Sequence, residues 1–183
     1  KNIKIRMVIT KCDKKFGRGQ KLKIYPVKMV SQKYGIKLYT VNNINTNSVK
    51  KVITSINPDI IIIVEYGEKI DDELIKIPMH GIINLHPSIL PKFRGSQPIQ
   101  QAIIKGESIT GISIININNV MDSGDILNVK KCKIKKKDTY QSLSKRLLNI
   151  GYKCLIETLN NIKYMNVNAI RQGNNKYIYA KKN

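Results

Sequence analysis

The chain has 183 residues, 42% of them hydrophobic, and a formal net charge of +21. That length suits one domain with a real core, and the longest apolar run, Ile60 to Val64, is too short to cross a membrane. The positive balance draws the chain towards polyanions such as nucleic acid, although Lys, Asn and Ile abound along its whole length, as a genome-wide bias would also make them. Cys12, Cys132 and Cys154 are odd in number and widely spaced, with no C-x-x-C pair, which argues against a disulfide framework and for a reducing compartment. Only His80 and His86 are available as imidazoles, so no metal site is expected.

Alternation predicts a first strand from Ile3 to Thr10, with no signal- or transit-peptide pattern ahead of it. A basic loop follows from Cys12 to Ile24, where Lys14, Lys15, Arg18, Gln20 and Lys21 surround Phe16 and two glycines. Such a loop can track a phosphate backbone while Arg18 enters a groove or splays an end pair; a plain solvated loop is the competing reading. Gly17-x-Gly19 lacks the third glycine and the following helix of a dinucleotide fingerprint. Pro26 opens a helix that Gly35 closes, a strand covers Lys37 to Val41, and a second helix covers Asn47 to Ile56.

Asp59 to Val64 is the next strand, followed by a short helix at Asp71-Asp72, whose carboxylates suit a helix amino terminus. Gly81 to His86 is a strand that Pro87, which cannot donate to a ladder, ends directly after His86. Ser96 caps a helix with Pro98 at its start and Gly106 past its end. Strands from Gly111 to Ile117 and from Ile126 to Ile134 bring late antiparallel character. Lys130, Lys131, Lys133, Lys135, Lys136 and Lys137 there read as a solvated strand edge. The longest helix runs from about Asp138 to Tyr164, with Thr139 near its cap and Leu143, Leu147, Ile150, Cys154 and Ile162 as its packing stripe. Tyr177 to Ala180 could form a short last strand. This alternation implies an α/β fold, a mostly parallel sheet with helices on both faces.

One pair of segments carries chemistry. Leu85 separates Asn84 from His86, so a strand turns both polar residues to one face, at the carboxyl-terminal strand end where open α/β sheets bind ligands. Met121-Asp122-Ser123-Gly124-Asp125 adds a carboxylate between two strands, with Gly124 permitting a tight turn. Together they nominate an acyl-transfer site. If an amine attacks a formyl carbonyl, Asn84 can donate to the oxyanion and His86 can polarise that oxygen and shuttle a proton. Asp122 can accept from His86 or a water and favour the imidazolium. A hydrogen-bonded structural histidine is the alternative for His86 taken alone. Asp125 can equally be a turn former, and His80 is expected at the surface or in packing.

With these residues the chain resembles the formyltransferases that use 10-formyltetrahydrofolate. Asn84, His86 and Asp122 match that family's catalytic trio, and Ser88-Ile89-Leu90-Pro91 is similar to its S-L-L-P loop. Val64-Glu65-Tyr66-Gly67 is similar to the loop that helps line its folate pocket, with Glu65 in place of a small residue. The likeness is strongest to the branch acting on methionyl-tRNA. Arg94 to Gln100 resembles its R-G-A-A-P-I-Q segment, and Gly17 to Leu22 with Pro26-Val27-Lys28 resembles its G-R-G-K-K-L and P-V-K elements.

The resemblance implies a Rossmann-like formyltransferase fold and a metal-free reaction with 10-formyltetrahydrofolate as the formyl-donor cosubstrate. Folate would meet Tyr66, Gly67, Ser88, Ile89, Leu90, Pro91, Asn119, Val120 and Met121. Methionyl-initiator tRNA would meet Lys14, Lys15, Arg18, Gln20, Lys21 and Arg94, with Arg18 wedged into its acceptor end. A monomer in a bacterial cytoplasm or a eukaryotic organelle, mitochondrion or plastid, is the implied setting. Residues 1–183 would be the catalytic domain, starting at the family's second strand and lacking both its first strand and helix and its carboxyl-terminal tRNA-binding domain. A central strand left out would strand unpaired backbone groups inside the sheet, so an amino-terminal stretch beyond the given sequence is expected. The rival readings are a formyltransferase acting on a ribonucleotide or sugar amine, a formyl-folate hydrolase, and a catalytically silent RNA-binding module.

Overall fold

Hydrophobic periodicity and capping residues set where most elements begin and end in the computed structural model, which describes residues 3–16, 21–23, 25–173 and 178–180. Contacts divide the chain into two units, Lys1–Pro58 and Asp59–Asn183.

In the first unit, β1 (Val8–Lys11) is followed by a hairpin of β2 (Lys14–Phe16) and β3 (Lys21–Lys23), then α1 (Pro26–Lys33), β4 (Leu38–Val41) and α2 (Asn47–Ile56). β1 and β4 pair in parallel, with Val8 opposite Leu38. The first strand is shorter than its alternation suggests. Ile3 and Ile5 are 50% and 59% exposed, so the alternation before Val8 buries no face and Ile3 to Met7 stays irregular. α1 begins at Pro26, as predicted, and ends before Gly35. α2 has the predicted bounds: Thr46 accepts from the Val49 N–H at its start, and the left-handed Asn57 ends it. Val49 and Ile53, one turn apart, are its buried stripe.

The second unit runs β5 (Ile61–Val64), α3 (Asp72–Ile75), β6 (Ile82–His86), β7 (Lys92–Gly95), α4 (Pro98–Ile104), β8 (Ile109–Asn116), β9 (Ile126–Lys133), α5 (Tyr140–Lys163) and β10 (Ile178–Ala180). Its four-stranded sheet has the order β5-β6-β8-β9. β6 lies parallel to β5 and antiparallel to β8, and the β8–β9 pair is antiparallel, which is the late antiparallel character expected. Among the described residues β5 has β6 as its one ladder partner, and its Ile62 and Val64 are half exposed. The two central strands hold the core, with Ile83, Ile112 and Ile114 fully buried. α5 packs on β8 and β9 through Leu143, Leu147 and Cys154, with Ile150 and Ile162 partly buried beside them. Each fully buried leucine there contributes roughly 1.5–3 kcal/mol.

The cap of α5 is stronger than the expected Thr139 alone. Thr139 and Ser142 bond each other's backbone N–H reciprocally, and Asp138 accepts from the Lys135 N–H and from Ser142 and Arg146. Those donors, led by the Lys135 N–H, hold the Asp138 carboxyl below the usual range. α3 starts where Asp71 accepts from the Leu74 N–H at 2.9 Å. The expected Ser96 cap of α4 is a different arrangement: Gln97 occupies the cap position with no side-chain bond, and Pro98 is the first helical residue. The Ser96 backbone is engaged elsewhere, its N–H donating to the Ala180 carbonyl at 3.2 Å.

That bond extends a ladder the sequence did not announce. β10 lies parallel to β7, pairing Ala180 with Gly95. Gly95 has φ +107, and a Cβ there would stand 2.9 Å from the Ala180 oxygen, so strand pairing itself demands glycine. Gly124, in the β8–β9 connection, is needed for space rather than for a turn. A Cβ on it would lie 1.7 Å from the Asn116 carbonyl oxygen, and its φ is not positive. No described helix is long and apolar enough to cross a membrane, and no three His, Cys, Asp or Glu side chains among the described residues are grouped to hold a metal.

Two outcomes follow from this packing. Cys154 is fully buried, burial pushes its thiol up to about 11, and Cys132 is buried as well, whereas Cys12 is half-buried. Alkylation of the native protein near neutral pH should therefore label Cys12 first, with Cys132 and Cys154 labelled only in denaturant, as intact and peptide mass spectrometry will show. Gly124→Ala cannot be absorbed by a side-chain rotation, because the clash is with backbone. Chemical denaturation should register a loss of about 1–3 kcal/mol or more, and an unchanged midpoint would contradict the close approach.

Candidate active site

β6 stops at His86 because Pro87 follows, and the alternation that buries Ile83 places Asn84 and His86 together on the site side. The β8–β9 connection brings Asp122 to them. The Asn84 side-chain amide donates to Asp122 Oδ1 at 3.3 Å, and the Gly95 N–H donates to Asp122 Oδ2 at 2.8 Å. His86 Nδ1 lies 3.7 Å from the same Oδ2, and the Asp122 side chain is only 10% exposed. The three residues expected to act together are thus one cluster.

His86 is 4% exposed, and its Nε2 is 2.9 Å from the Phe93 carbonyl oxygen. A carbonyl can only accept, so Nε2 carries the hydrogen and Nδ1 is the nitrogen free to gain or lose a proton. A proton on Nδ1 faces the Asp122 carboxylate, a charge contact rather than a direct hydrogen bond at that distance. Asp122 has φ +52, a left-handed conformation that side chains other than glycine, Asn and Asp rarely hold. Its carboxylate is aimed by backbone shape as well as by its donors.

The loop around Asp122 is internally braced. Asn118 Oδ1 accepts from the Val120 N–H at 3.0 Å and from the Ser123 hydroxyl at 2.9 Å. Asn119 donates to Asp72 Oδ2 at 3.0 Å, and Val120 and Met121 are exposed at the tip. Gly67 is exposed at φ +62, and the half-buried Tyr66 donates its hydroxyl to Glu68 Oε2 at 3.0 Å.

The Ser88 to Pro91 segment divides. Ile89 and Pro91 are half-buried, but Ser88 and Leu90, expected to touch folate, are 0% and 4% exposed. They brace the loop from within. Ser88 donates its hydroxyl to the Lys92 carbonyl at 2.6 Å, and Leu90 packs with Ile115 and Ile126. The Ser113 hydroxyl donates to the Ser88 carbonyl at 2.7 Å and accepts from the Leu90 N–H at 3.1 Å. Sequence reasoning missed Ser113, a lone hydroxyl inside an apolar strand.

Arg94 requires a correction too. Expected at a tRNA surface, it is 5% exposed, with Nη2 donating to Gln172 Oε1 at 2.6 Å and Nε at 3.2 Å. Gln172 in turn donates to the carbonyls of Asp122 and Gly124. A guanidinium this buried needs fixed acceptors and cannot double as a surface contact. Nothing in the polar segment around Gln172 marks that residue. Of the other expected tRNA contacts, Lys14, Lys15 and Lys21 lie on the backbone of the β2–β3 hairpin, and Arg18 and Gln20 fall outside the described residues.

The cluster holds the parts that acyl transfer to an amine requires. Asn84 supplies an amide donor, His86 a single proton-exchanging nitrogen, and Asp122 the charge that faces it.

Comparison with known proteins agrees. Residues 1–159 match the family model described as formyl transferase. Methionyl-tRNA formyltransferase of Halothermothrix orenii is 37% identical over 180 residues, covering 98% of this chain and 57% of that protein. The methionyl-tRNA formyltransferase of Ehrlichia ruminantium strain Gardel is 39% identical over 179 residues, 98% of this chain and 58% of the relative. The chain therefore spans little more than half the length of these curated relatives. Among solved structures, phosphoribosylglycinamide formyltransferase of Bacillus halodurans superposes with a TM-score of 0.74 at 20% identity, over 87% of this chain and 80% of that one. The formyltransferase PseJ of Anoxybacillus kamchatkensis, solved with tetrahydrofolate, gives 0.66 at 19% identity over 94% and 84%. At such identities the likeness establishes the fold, the Rossmann-like α/β fold of the formyltransferases. The chain belongs to the formyl transferase family.

Proposed function

We propose that this chain is the catalytic domain of an enzyme that moves the formyl group of 10-formyltetrahydrofolate to the α-amino group of methionyl-initiator tRNA. The observation that carries the reading is the single carboxylate of Asp122, bonded by Asn84 and Gly95 and facing His86, in a member of this family. The named activity of the bacterial relatives supports the acceptor, and the tetrahydrofolate in the PseJ structure supports the donor.

The attacking amine adds to the formyl carbon and puts negative charge on its oxygen. Asn84 has two amide hydrogens; one is committed to Asp122, and the second is available to that oxygen. An oxyanion donor of this kind contributes about 3 kcal/mol. The amine must shed a proton and the leaving nitrogen of the folate must gain one. His86 Nδ1, opposite Asp122, is the group placed to carry it, while Nε2 stays fixed on Phe93. Tyr66, Gly67, Ile89, Pro91 and the Asn119 to Met121 tip are the residues offered to the folate. Lys14, Lys15, Arg18, Gln20 and Lys21 are the group offered to tRNA.

One chain supplies the entire trio, so a monomer suffices. The bacterial sources of the relatives support a bacterial cytoplasm, and an organelle with bacterial-type initiation is the alternative setting.

The direct test is formylation of charged initiator tRNA by purified protein, beside a ribonucleotide amine and a sugar amine. His86→Ala should lower turnover at least about 100-fold with an unchanged circular dichroism spectrum, and Asn84→Ala should cost about 100-fold in kcat. Undiminished turnover by the His86 variant sinks the reading. Preference for a small amine would assign the rival acceptor, formate released without any amine would mark a hydrolase, and RNA binding with no folate binding by calorimetry would mark a silent module.

A further inference from the structure

The left-handed Asp122 turn that aims the catalytic carboxylate has a clamp on its backbone side. Gln172 Nε2 donates one hydrogen to the Asp122 carbonyl at 3.0 Å and the other to the Gly124 carbonyl at 2.7 Å. Its Oε1 accepts twice from Arg94, from Nη2 at 2.6 Å and from Nε at 3.2 Å. The amide can be oriented in one way only, oxygen to the guanidinium and nitrogen to the two carbonyls, because neither partner could accept the reverse.

Both ends of the clamp are anchored. Two residues before Gln172, Ile170 exchanges a pair of backbone hydrogen bonds with Ile126, each 2.8 Å, which pins the segment beside the start of β9. Arg94 stands in β7, where it pairs with Tyr179 of β10, and it is 5% exposed. The next residue, Gly95, donates to the Asp122 carboxylate. Arg94 and Gly95 thus grip the Asp122 turn from two sides, one through Gln172 and one directly.

We propose that Gln172, backed by Arg94, is a positioning residue for formyl transfer: by clamping the Asp122 and Gly124 carbonyls it keeps the Asp122 carboxylate on Gly95 and opposite His86. This rests on the reading of Asn84, His86 and Asp122 as the reacting trio, but the clamp itself can be observed without turnover. Gln172 touches no reacting atom. Its effect is on where Asp122 points, so it acts on the chemical step more than on substrate capture.

Gln172→Glu separates the two halves of the clamp. The carboxylate still accepts from Arg94, but it offers no hydrogen to the two carbonyls and sets acceptor against acceptor. In the full-length protein, kcat should fall on the order of tenfold to a hundredfold, the scale of a small misplacement at a reacting centre. KM for the folate should change little, while loss of the two hydrogen bonds should lower the melting temperature by several degrees without unfolding the protein. Solvent exchange of the Gly95 amide, followed by NMR, should accelerate while the amides of Ile83 and Ile114 in the core do not change. Gln172→Asn, polar but one methylene short of spanning both carbonyls, should move kcat and Gly95 exchange the same way and serves if the Glu variant does not fold.

A lowered melting temperature with wild-type kcat and wild-type Gly95 exchange would overturn the proposal, leaving Gln172 a plain structural tie. If the wild-type protein transfers no formyl group, the transfer reading fails, yet faster Gly95 exchange in the variants would still support the clamp and unchanged exchange would still refute it.

Discussion

A carboxylate held almost out of water must be given donors, and the organisation of the second unit follows from how Asp122 gets them. One comes from the middle of a central strand, Asn84 of β6, and one from the backbone at the end of β7, Gly95. His86 completes the ring of contacts. Elements far apart in sequence converge on two oxygen atoms, and removing either donor would leave a buried charge short of partners, a cost of about 1–3 kcal/mol. The same convergence fixes strand register. Asn84 pairs with Ile115 and His86 with Ser113 across β8, and a slip of one residue would turn both polar groups into the apolar side of the sheet.

The histidine is fixed by a relay of neutral hydrogen bonds rather than by a second charge. The Ser113 hydroxyl holds the Ser88 carbonyl and the Leu90 N–H, the Ser88 hydroxyl holds the Lys92 carbonyl, and the adjacent Phe93 carbonyl receives His86 Nε2. Ser88 and Leu90 therefore belong to the scaffold that holds His86. A ligand-lining role and a scaffolding role look alike in sequence because both sit in the same short loop. Only burial tells them apart.

Local rules carried the reading a long way. The bounds of α2 were legible from Asn47 to Ile56, Pro87 marked the end of β6, and the shared face of Asn84 and His86 followed from Leu85 between them. What stayed hidden was long-range and backbone-mediated. The parallel β7–β10 pair joins segments that lie over eighty residues apart, and Lys92 to Gly95 has no alternation of its own to announce a strand. Arg94 illustrates the limit of composition: an arginine in a basic chain reads as surface, whereas here a glutamine from the far end of the chain accepts its guanidinium in the interior. The Gly124 expectation reached the right residue by the wrong cause, since the crowding at Asn116 excludes a side chain and the left-handed turn belongs to Asp122.

The charge of the chain and the chemistry of its site are therefore carried by different groups. A net charge of +21 comes from side chains such as Lys131, Lys133, Lys135, Lys136 and Lys137, which are exposed and screened by salt within a Debye length of about 8 Å at physiological ionic strength. The site relies on amides, a carbonyl, an imidazole and one carboxylate, largely buried and little affected by dissolved ions. A polyanionic acceptor would feel the lysines during encounter and the Asp122 cluster only once its amine is seated. Genome-wide drift towards lysine can then alter how strongly such an acceptor is attracted without touching the Asp122 arrangement, because no exposed lysine among the described residues is part of it.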